Sequence, residues 1–210
     1  MKDGRTIGVV MATHWEARCL LRRFHFRRQE RDLYRAVIQG RPVLLAVSGI
    51  GREAGWTAAM RLCDRGAAEL VSMGFCGALV PGLRVGDRVR DRIVSVSAPV
   101  RNRAEREALA RRANATACDM ETQAIIEAGT RRGVPIRVRR VISDTLEEDL
   151  TPLFGSDPFF SPLRIAARLL NPKVWPLAKR LERNSRLAKQ RLAEALGSYV
   201  AEENLHAAAR

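Results

Sequence analysis

The sequence predicts an α/β fold whose sheet is largely buried. Two observations predict it. Short β-rich apolar runs alternate with segments of helical period, and several of those runs end in glycine-bearing turns. A third observation bounds the size. The 210 residues are 46% hydrophobic, enough for one domain, or one domain with an appendage. Such a chain buries roughly 70% of its unfolded surface and needs neither disulfide nor metal to fold.

The elements follow in order. Thr6–Met11 is a short apolar β-rich run. Glu16–Phe24 then sets Leu20, Leu21 and Phe24 at helical spacing. Leu33–Gln39 and Pro42–Val47 bracket Gly40-Arg41 and read as a hairpin. Glu53–Arg65 is helical, with Trp56, Ala59, Met60 and Cys63 on one face. Glu69–Gly74 is the next strand, followed by a glycine-rich stretch through Gly86; Arg88–Val96 is β-like. Arg103–Ala113 and Glu121–Arg132 are helices, and Ile136–Ile142 is a Val/Ile-rich strand.

The texture changes near residue 150. Thr151–Pro162 holds three prolines and reads as a loop or lid. Leu163–Leu170 and a long amphipathic helix, Val174–Tyr199, follow. Residues 1–150 are therefore expected to form the α/β domain. Residues 151–210 would supply a loop and helices packed on that domain or on a partner. Phe159, Phe160, Leu163, Ala166, Ala167 and Leu170 offer an apolar face, flanked by Arg164, Arg168, Lys173, Lys179 and Arg180. That pairing suits assembly, substrate access or peripheral contact with a membrane surface.

The formal charge is +14, but it marks no nucleic-acid binder. Only four of the 37 cationic residues are Lys, and the surplus is spread along the chain. Residues 1–150 carry 27 basic and 18 acidic side chains, and residues 151–210 carry 10 and 5. Aromatic residues are sparse, and no zinc-finger, basic-zipper or RNA-recognition signature is present. The four cysteines are scattered among apolar neighbours, as buried free thiols in a reducing compartment would be. Three dispersed histidines make no metal site. Ile7–Ala12 is too short for a signal peptide, so the expected compartment is the cytoplasm.

In open α/β sheets, ligands bind beyond the carboxyl ends of strands. Those ends carry Ala12-Thr13-His14-Trp15-Glu16, Ser48-Gly49-Ile50-Gly51, Gly74-Phe75-Cys76-Gly77-Ala78-Leu79 and Ser143-Asp144. Asp119-Met120-Glu121 opens a helix after a short apolar stretch. Glu16, Glu121 and Asp144 are thus expected to share one cleft. Taken singly, each has a structural explanation: Glu16 as a solvated first-turn carboxylate, Asp119 and Glu121 as capping residues, Ser143-Asp144 as a cap.

The ordered set of these segments, with Val85-Gly86-Asp87, resembles the nucleoside phosphorylase and nucleosidase superfamily. The best general match is to the 5′-methylthioadenosine/S-adenosylhomocysteine nucleosidases, over roughly residues 5–150. The tail, with Asn171-Pro172-Lys173-Val174-Trp175-Pro176 and the helix after it, looks more like the hopanoid-associated branch. The resemblance implies a three-layer phosphorylase-like sandwich with a central mixed sheet flanked by helices. It implies cleavage of a purine N-glycosidic bond, releasing adenine from an adenine nucleoside such as adenosylhopane, without a cofactor, in a homo-oligomer.

It also implies roles. Asp144, positioned by Ser143, would protonate the purine at N7. Glu121 would accept hydrogen bonds from ribose hydroxyls and Met120 would pack on the sugar. Glu16 would orient the attacking water. Ser48, Phe75, Cys76 and Gly77 would complete the substrate site. Three departures stand out. Phe75 replaces a small hydroxylated residue common in relatives, which favours water over phosphate as nucleophile. Asp119 stands where the nucleosidases usually carry glutamate. Only about thirty residues separate Asp87 from Asp119, where relatives place the strand and loop that line the base. The alternative is therefore an inactive member that binds a nucleoside or serves a structural role.

Overall fold

The computed structural model describes residues 6–155 and 162–208. Within them the chain forms β1 (Ile7–Met11), α1 (His14–Arg23), β2 (Arg27–Glu30), β3 (Leu33–Ile38), β4 (Arg41–Val47), α2 (Arg52–Asp64) and β5 (Glu69–Ala78). Then come β6 (Arg88–Val89), β7 (Ile93–Ser95), α3 (Arg103–Ala113), β8 (Ala117–Asp119), α4 (Thr122–Arg132) and β9 (Ile136–Asp144). The C-terminal part holds α5 (Thr151–Phe154), α6 (Pro162–Leu169) and α7 (Trp175–Ala208).

All nine strands share one mixed sheet. β5 is its pivot. Glu69–Ser72 pair in parallel with β1, and Gly77 and Ala78 pair antiparallel with β8. The other edge of β5 runs parallel to β9. One strand thus brings the ends of β1, β8 and β9 together. The order β2-β3-β4-β1 completes one side, and β7 lies beside β8.

Helices cover both faces, giving a three-layer α/β sandwich. On one face, Ala17 and Leu20 of α1 and Ala188, Leu192, Leu196 and Tyr199 of α7 bury against Val9, Met11, Leu45 and Val71. On the other, Ala58, Ala59 and Leu62 of α2 and Ile125 and Ala128 of α4 bury against Val10, Ala46 and Leu70. The second half of α7 is therefore core of the main domain, and its first half joins Leu150, Leu153, Ile165, Leu177 and Leu181 in a smaller cluster.

Several elements differ from the sequence reading. The hairpin turn sits at Gln39-Gly40, both with positive φ (49° and 82°), so β4 already begins at Arg41. Strand β5 continues through the glycine-rich stretch to Ala78. The β-like run Arg88–Val96 is two strands, split at Arg92, where φ is 50°. Thr151–Phe154 is helical. Phe159 and Phe160, read as part of an apolar face, lie outside the described residues. Leu163 and Leu170, read as part of the same face, are exposed. No described helix is long and apolar enough to cross a membrane.

Candidate active site

A cleft of about 280 Å³ opens where β1, β5, β8 and β9 end. Its size lies at the lower end of the range typical of small-molecule sites, roughly 300–1,000 Å³. Glu16, Glu121 and Asp144 all line it, together with Phe75, Cys76, Gly77, Met120 and Ser143. The structure thus brings together every candidate residue except Ser48. That hydroxyl bonds the carbonyls of Met11 (3.3 Å) and Gly49 (2.6 Å) and faces a neighbouring groove. The chain turns at Gly49 (φ 90°) and Gly51 (φ 103°), and Ile50 lines the cleft in its place.

Glu16 is held by the start of α1. Thr13 caps the helix, and Glu16 Oε2 accepts from the Thr13 N–H and hydroxyl, both at 3.0 Å, in a capping box. Oε1 accepts from the Phe75 N–H at 2.9 Å. This carboxylate is buried, not the solvated first-turn group its position also allowed. Three of about four lone-pair sites are taken, so roughly one remains for a ligand.

Glu121 caps α4 with its backbone and turns its side chain into the cleft. Oε1 accepts from the Gly51 N–H at 2.8 Å, and Oε2 lies 3.8 Å from Arg140 Nη2. Burial raises its pKa to about 7. Arg140 and the Gly51 N–H oppose the shift, and the charges of Asp119 and Glu16 add to it.

Beneath these groups lies Arg140, a fully buried cation that the sequence reading did not single out. It donates to Thr122 Oγ1 (3.0 Å), Ser72 Oγ (3.0 Å) and the Phe75 carbonyl (3.4 Å), and pairs with Asp119 at 2.6 Å. Asp119 in turn accepts from Ser95 Oγ at 2.6 Å and from the Thr122 N–H and hydroxyl. A buried charge this well paired is a rigid support for the cleft floor. Its signal in the sequence is a charged residue between Val138 and Ile142 on one strand face.

Ser143 and Asp144 owe their position to a β-bulge. Cys76 pairs with Ile142 but Gly77 pairs with Asp144, so Ser143 is the extra residue. Bulges re-aim side chains in this way. Ser143 Oγ donates to Asp144 Oδ1 at 2.6 Å, and Asp144 Oδ2 accepts from Arg106 Nη2 at 2.5 Å. Arg106 is buried on α3, donates to the Ala78 carbonyl at 3.0 Å, and leaves Nε without a partner. A Cβ on Gly77 would stand 2.8 Å from Asp144 Oδ2 and 3.0 Å from Arg106 Nη1, so only glycine leaves room for the pair. Arg106 was also missed. Its signal is an arginine three residues before Leu109, on the buried stripe of its helix.

The interval between Asp87 and Asp119 contributes a wall. Val96, Pro99 and Val100 line the cleft beside Cys118. Burial holds the Cys76 thiol well above its ordinary pKa and that of Cys118 at about 12, so neither is a nucleophile. Across the mouth, Trp15 packs edge-on against Phe75, with centroids 5.8 Å apart. Among the described residues no cluster of His, Cys, Asp and Glu is arranged to hold a metal.

The model of one protein family, the phosphorylase superfamily, matches residues 6–90 and 89–157, most of the chain and every strand that frames the cleft. The chain belongs to the phosphorylase superfamily. Solved structures of this fold include the Streptococcus pneumoniae MTA/SAH nucleosidase in complex with 8-aminoadenine. It is 17% identical, with a TM-score of 0.72, over 93% of this chain and 98% of that one. The Helicobacter pylori 5′-methylthioadenosine/S-adenosylhomocysteine nucleosidase, complexed with a substituted pyrrolidin-3-ol, is 15% identical with a TM-score of 0.68, over 93% and 99%. Helicobacter pylori futalosine hydrolase is 15% identical with a TM-score of 0.67, over 93% and 98%. At these identities the likeness is one of fold. No curated protein matches this superfamily member in sequence.

Proposed function

We propose that this chain hydrolyses the N-glycosidic bond of a purine nucleoside and releases adenine. The observation that carries the reading is the cleft itself. In a phosphorylase-superfamily member, three carboxylates from the ends of separate sheet segments line one small-molecule space. Breaking this bond develops positive charge on the ribose and negative charge on the base. Glu16 and Glu121 offset the first, and a proton from Asp144 offsets the second. Arg106 occupies Asp144 Oδ2, so that proton travels on Oδ1, beside Ser143. Glu121 accepts from the ribose hydroxyls, Met120 packs on the sugar, and Glu16 takes a proton from the attacking water.

Water is the better nucleophile here. Two carboxylates face the sugar end, Phe75 offers no hydroxyl, and Arg52 pairs with Glu127 outside the cleft. The tail supports adenosylhopane as substrate, at a peripheral membrane contact. Leu150 and Phe154 of the cleft wall continue into the cluster of Ile165, Leu177 and Leu181, beyond which Leu163, Leu170 and Trp175 are exposed. A homo-oligomer completes the proposal. Light scattering tests it, and co-sedimentation with liposomes tests the membrane contact.

One observation favours a second reading, an inactive nucleoside-binding member. Arg106 holds the proposed acid in an ion pair. Chromatography of adenosine, methylthioadenosine and inosine incubated with the chain, with and without phosphate, separates the two. Hydrolysis predicts adenine and free sugar without phosphate, and a kcat lower by about two to four orders of magnitude in Asp144→Asn. Adenine binding without release from any nucleoside would establish the second reading. Formation of a sugar 1-phosphate would overturn the choice of water.

A further inference from the structure

A groove of about 680 Å³ separates α1 from α7 on the outer face of the molecule. It is lined by Arg18, Arg22 and Arg23 of α1, Arg186 and Lys189 of α7, and Cys19. Five of its six lining residues are cations and none is an acid. Elsewhere, several surface arginines stand against carboxylates: Arg61 and Arg65 on Glu30, Arg103 on Glu107 and Glu147, Arg132 on Asp64. In the groove the one acidic partner is Glu182, which holds Arg186 at 2.6 Å.

The helix dipole accounts for Arg22 and Arg23, which lie in the last turn of α1. It does not account for Arg18, one turn earlier, nor for Arg186 and Lys189 in the interior of α7. Arg18 and Arg22 are four residues apart on one helix face, an unfavourable spacing for like charges. Arg186 has Glu182 and Lys189 has the Trp15 ring, but Arg18 and Arg22 form no ion pair among the described residues. Guanidinium groups in such a set match the oxygens of a phosphate group, which they bind through paired N–H donors.

We propose that the α1–α7 groove binds a small, soluble, phosphate-bearing anion. Burial lowers the pKa of Lys189, and the charge of Arg18 adds to the shift, while Glu16 and Glu182 oppose it. The groove also touches the cleft. Lys189 Nζ lies 3.5 Å from the centroid of the Trp15 ring, and Trp15 lines the cleft mouth. An anion drawn to Lys189 therefore acts on a cation stacked against the cleft wall. The site stands independently of the nucleosidase reading, since its lining shares no residue with the cleft.

Isothermal titration of the full chain with inorganic pyrophosphate, at constant ionic strength, tests this. Saturable one-to-one binding is expected, weakened by roughly tenfold or more in a double variant, Arg18→Gln with Arg22→Gln. Lys189→Gln should weaken it as well. A charge-matched control, Arg111→Gln with Arg112→Gln on the exposed face of α3, should leave it unchanged. Pyrophosphate should also alter tryptophan emission, and Trp15→Phe should remove that change while calorimetric binding persists. Equal weakening by the groove and control variants, or no saturation at millimolar pyrophosphate, would overturn the proposal. So would binding to phosphatidylglycerol vesicles without binding of pyrophosphate, which would make the groove a lipid-facing surface.

Discussion

The two ends of the cleft are built differently. At one end, Glu16 and Glu121 lie near Arg140, and each charge meets partners from several elements: the α1 cap, the Gly51 turn, Thr122 and Ser72. At the other end, Asp144 depends on one serine and one arginine, and that arginine keeps a buried Nε without a partner. The contrast separates a cross-braced charge network from a single ion pair beside an open wall. It teaches where the chain tolerates change. The Glu16–Glu121 end is fixed by strand pairing and caps, whereas the Asp144 end hangs on a bulge, a glycine and one helix.

The sharpest way to break this comparison is to remove each arginine. Arg140→Met strands Asp119 and Glu121 and should cost about 3–5 kcal/mol in urea unfolding. Arg106→Met leaves only the partly exposed Asp144 and should cost less, about 1–3 kcal/mol. The reverse order would dissolve the distinction.

A smaller effect follows from pH. The folded-state pKa of Glu121 is about 7, above its ordinary value of 4.5. Between these values the folded chain retains a proton that the unfolded chain has lost. This contribution to stability is therefore complete below about pH 4.5 and is lost as pH rises through about 7, about 3 kcal/mol in total. Glu121→Gln should flatten that slope in unfolding curves measured from pH 5 to 7.5. An unchanged slope would show that another group carries it.

Gly77→Ala should cost about 1–2 kcal/mol, because the new methyl must push the Asp144 and Arg106 side chains aside. Activity should fall further than this loss of stability explains. An alanine variant as active as the parent would mean that the position of Asp144 matters little. The smallest effect expected is none: phosphate should leave the rate of adenine release unchanged.

Much of this was legible in the sequence. The apolar runs of β1, β4, β5 and β9, and the glycine turns after them, mark strand ends, and strand ends are where the carboxylates stand. Other parts were not legible, for physical reasons. Strand β2 is Arg-Arg-Gln-Glu, exposed throughout, and pairs at an edge through its backbone alone. Arg106 and Arg140 look like ordinary members of an arginine-rich chain. Only their place on apolar faces distinguishes them, and their partners lie 38 and 21 residues away. Ser48 looked like a site residue because it begins a glycine turn, but the turn itself directs it elsewhere. The second half of α7 reads as amphipathic whether it meets this domain or another surface, so sequence alone left its contact open.

The most direct test of the account is a crystal structure of the Asp144→Asn variant with adenosine bound. The account predicts an intact nucleoside in the cleft, its ribose hydroxyls on Glu121, Met120 against the sugar, and its base beside Ser143 and position 144. An empty cleft, or a ribose lying at the Arg106 end with the base on Glu121, would contradict it.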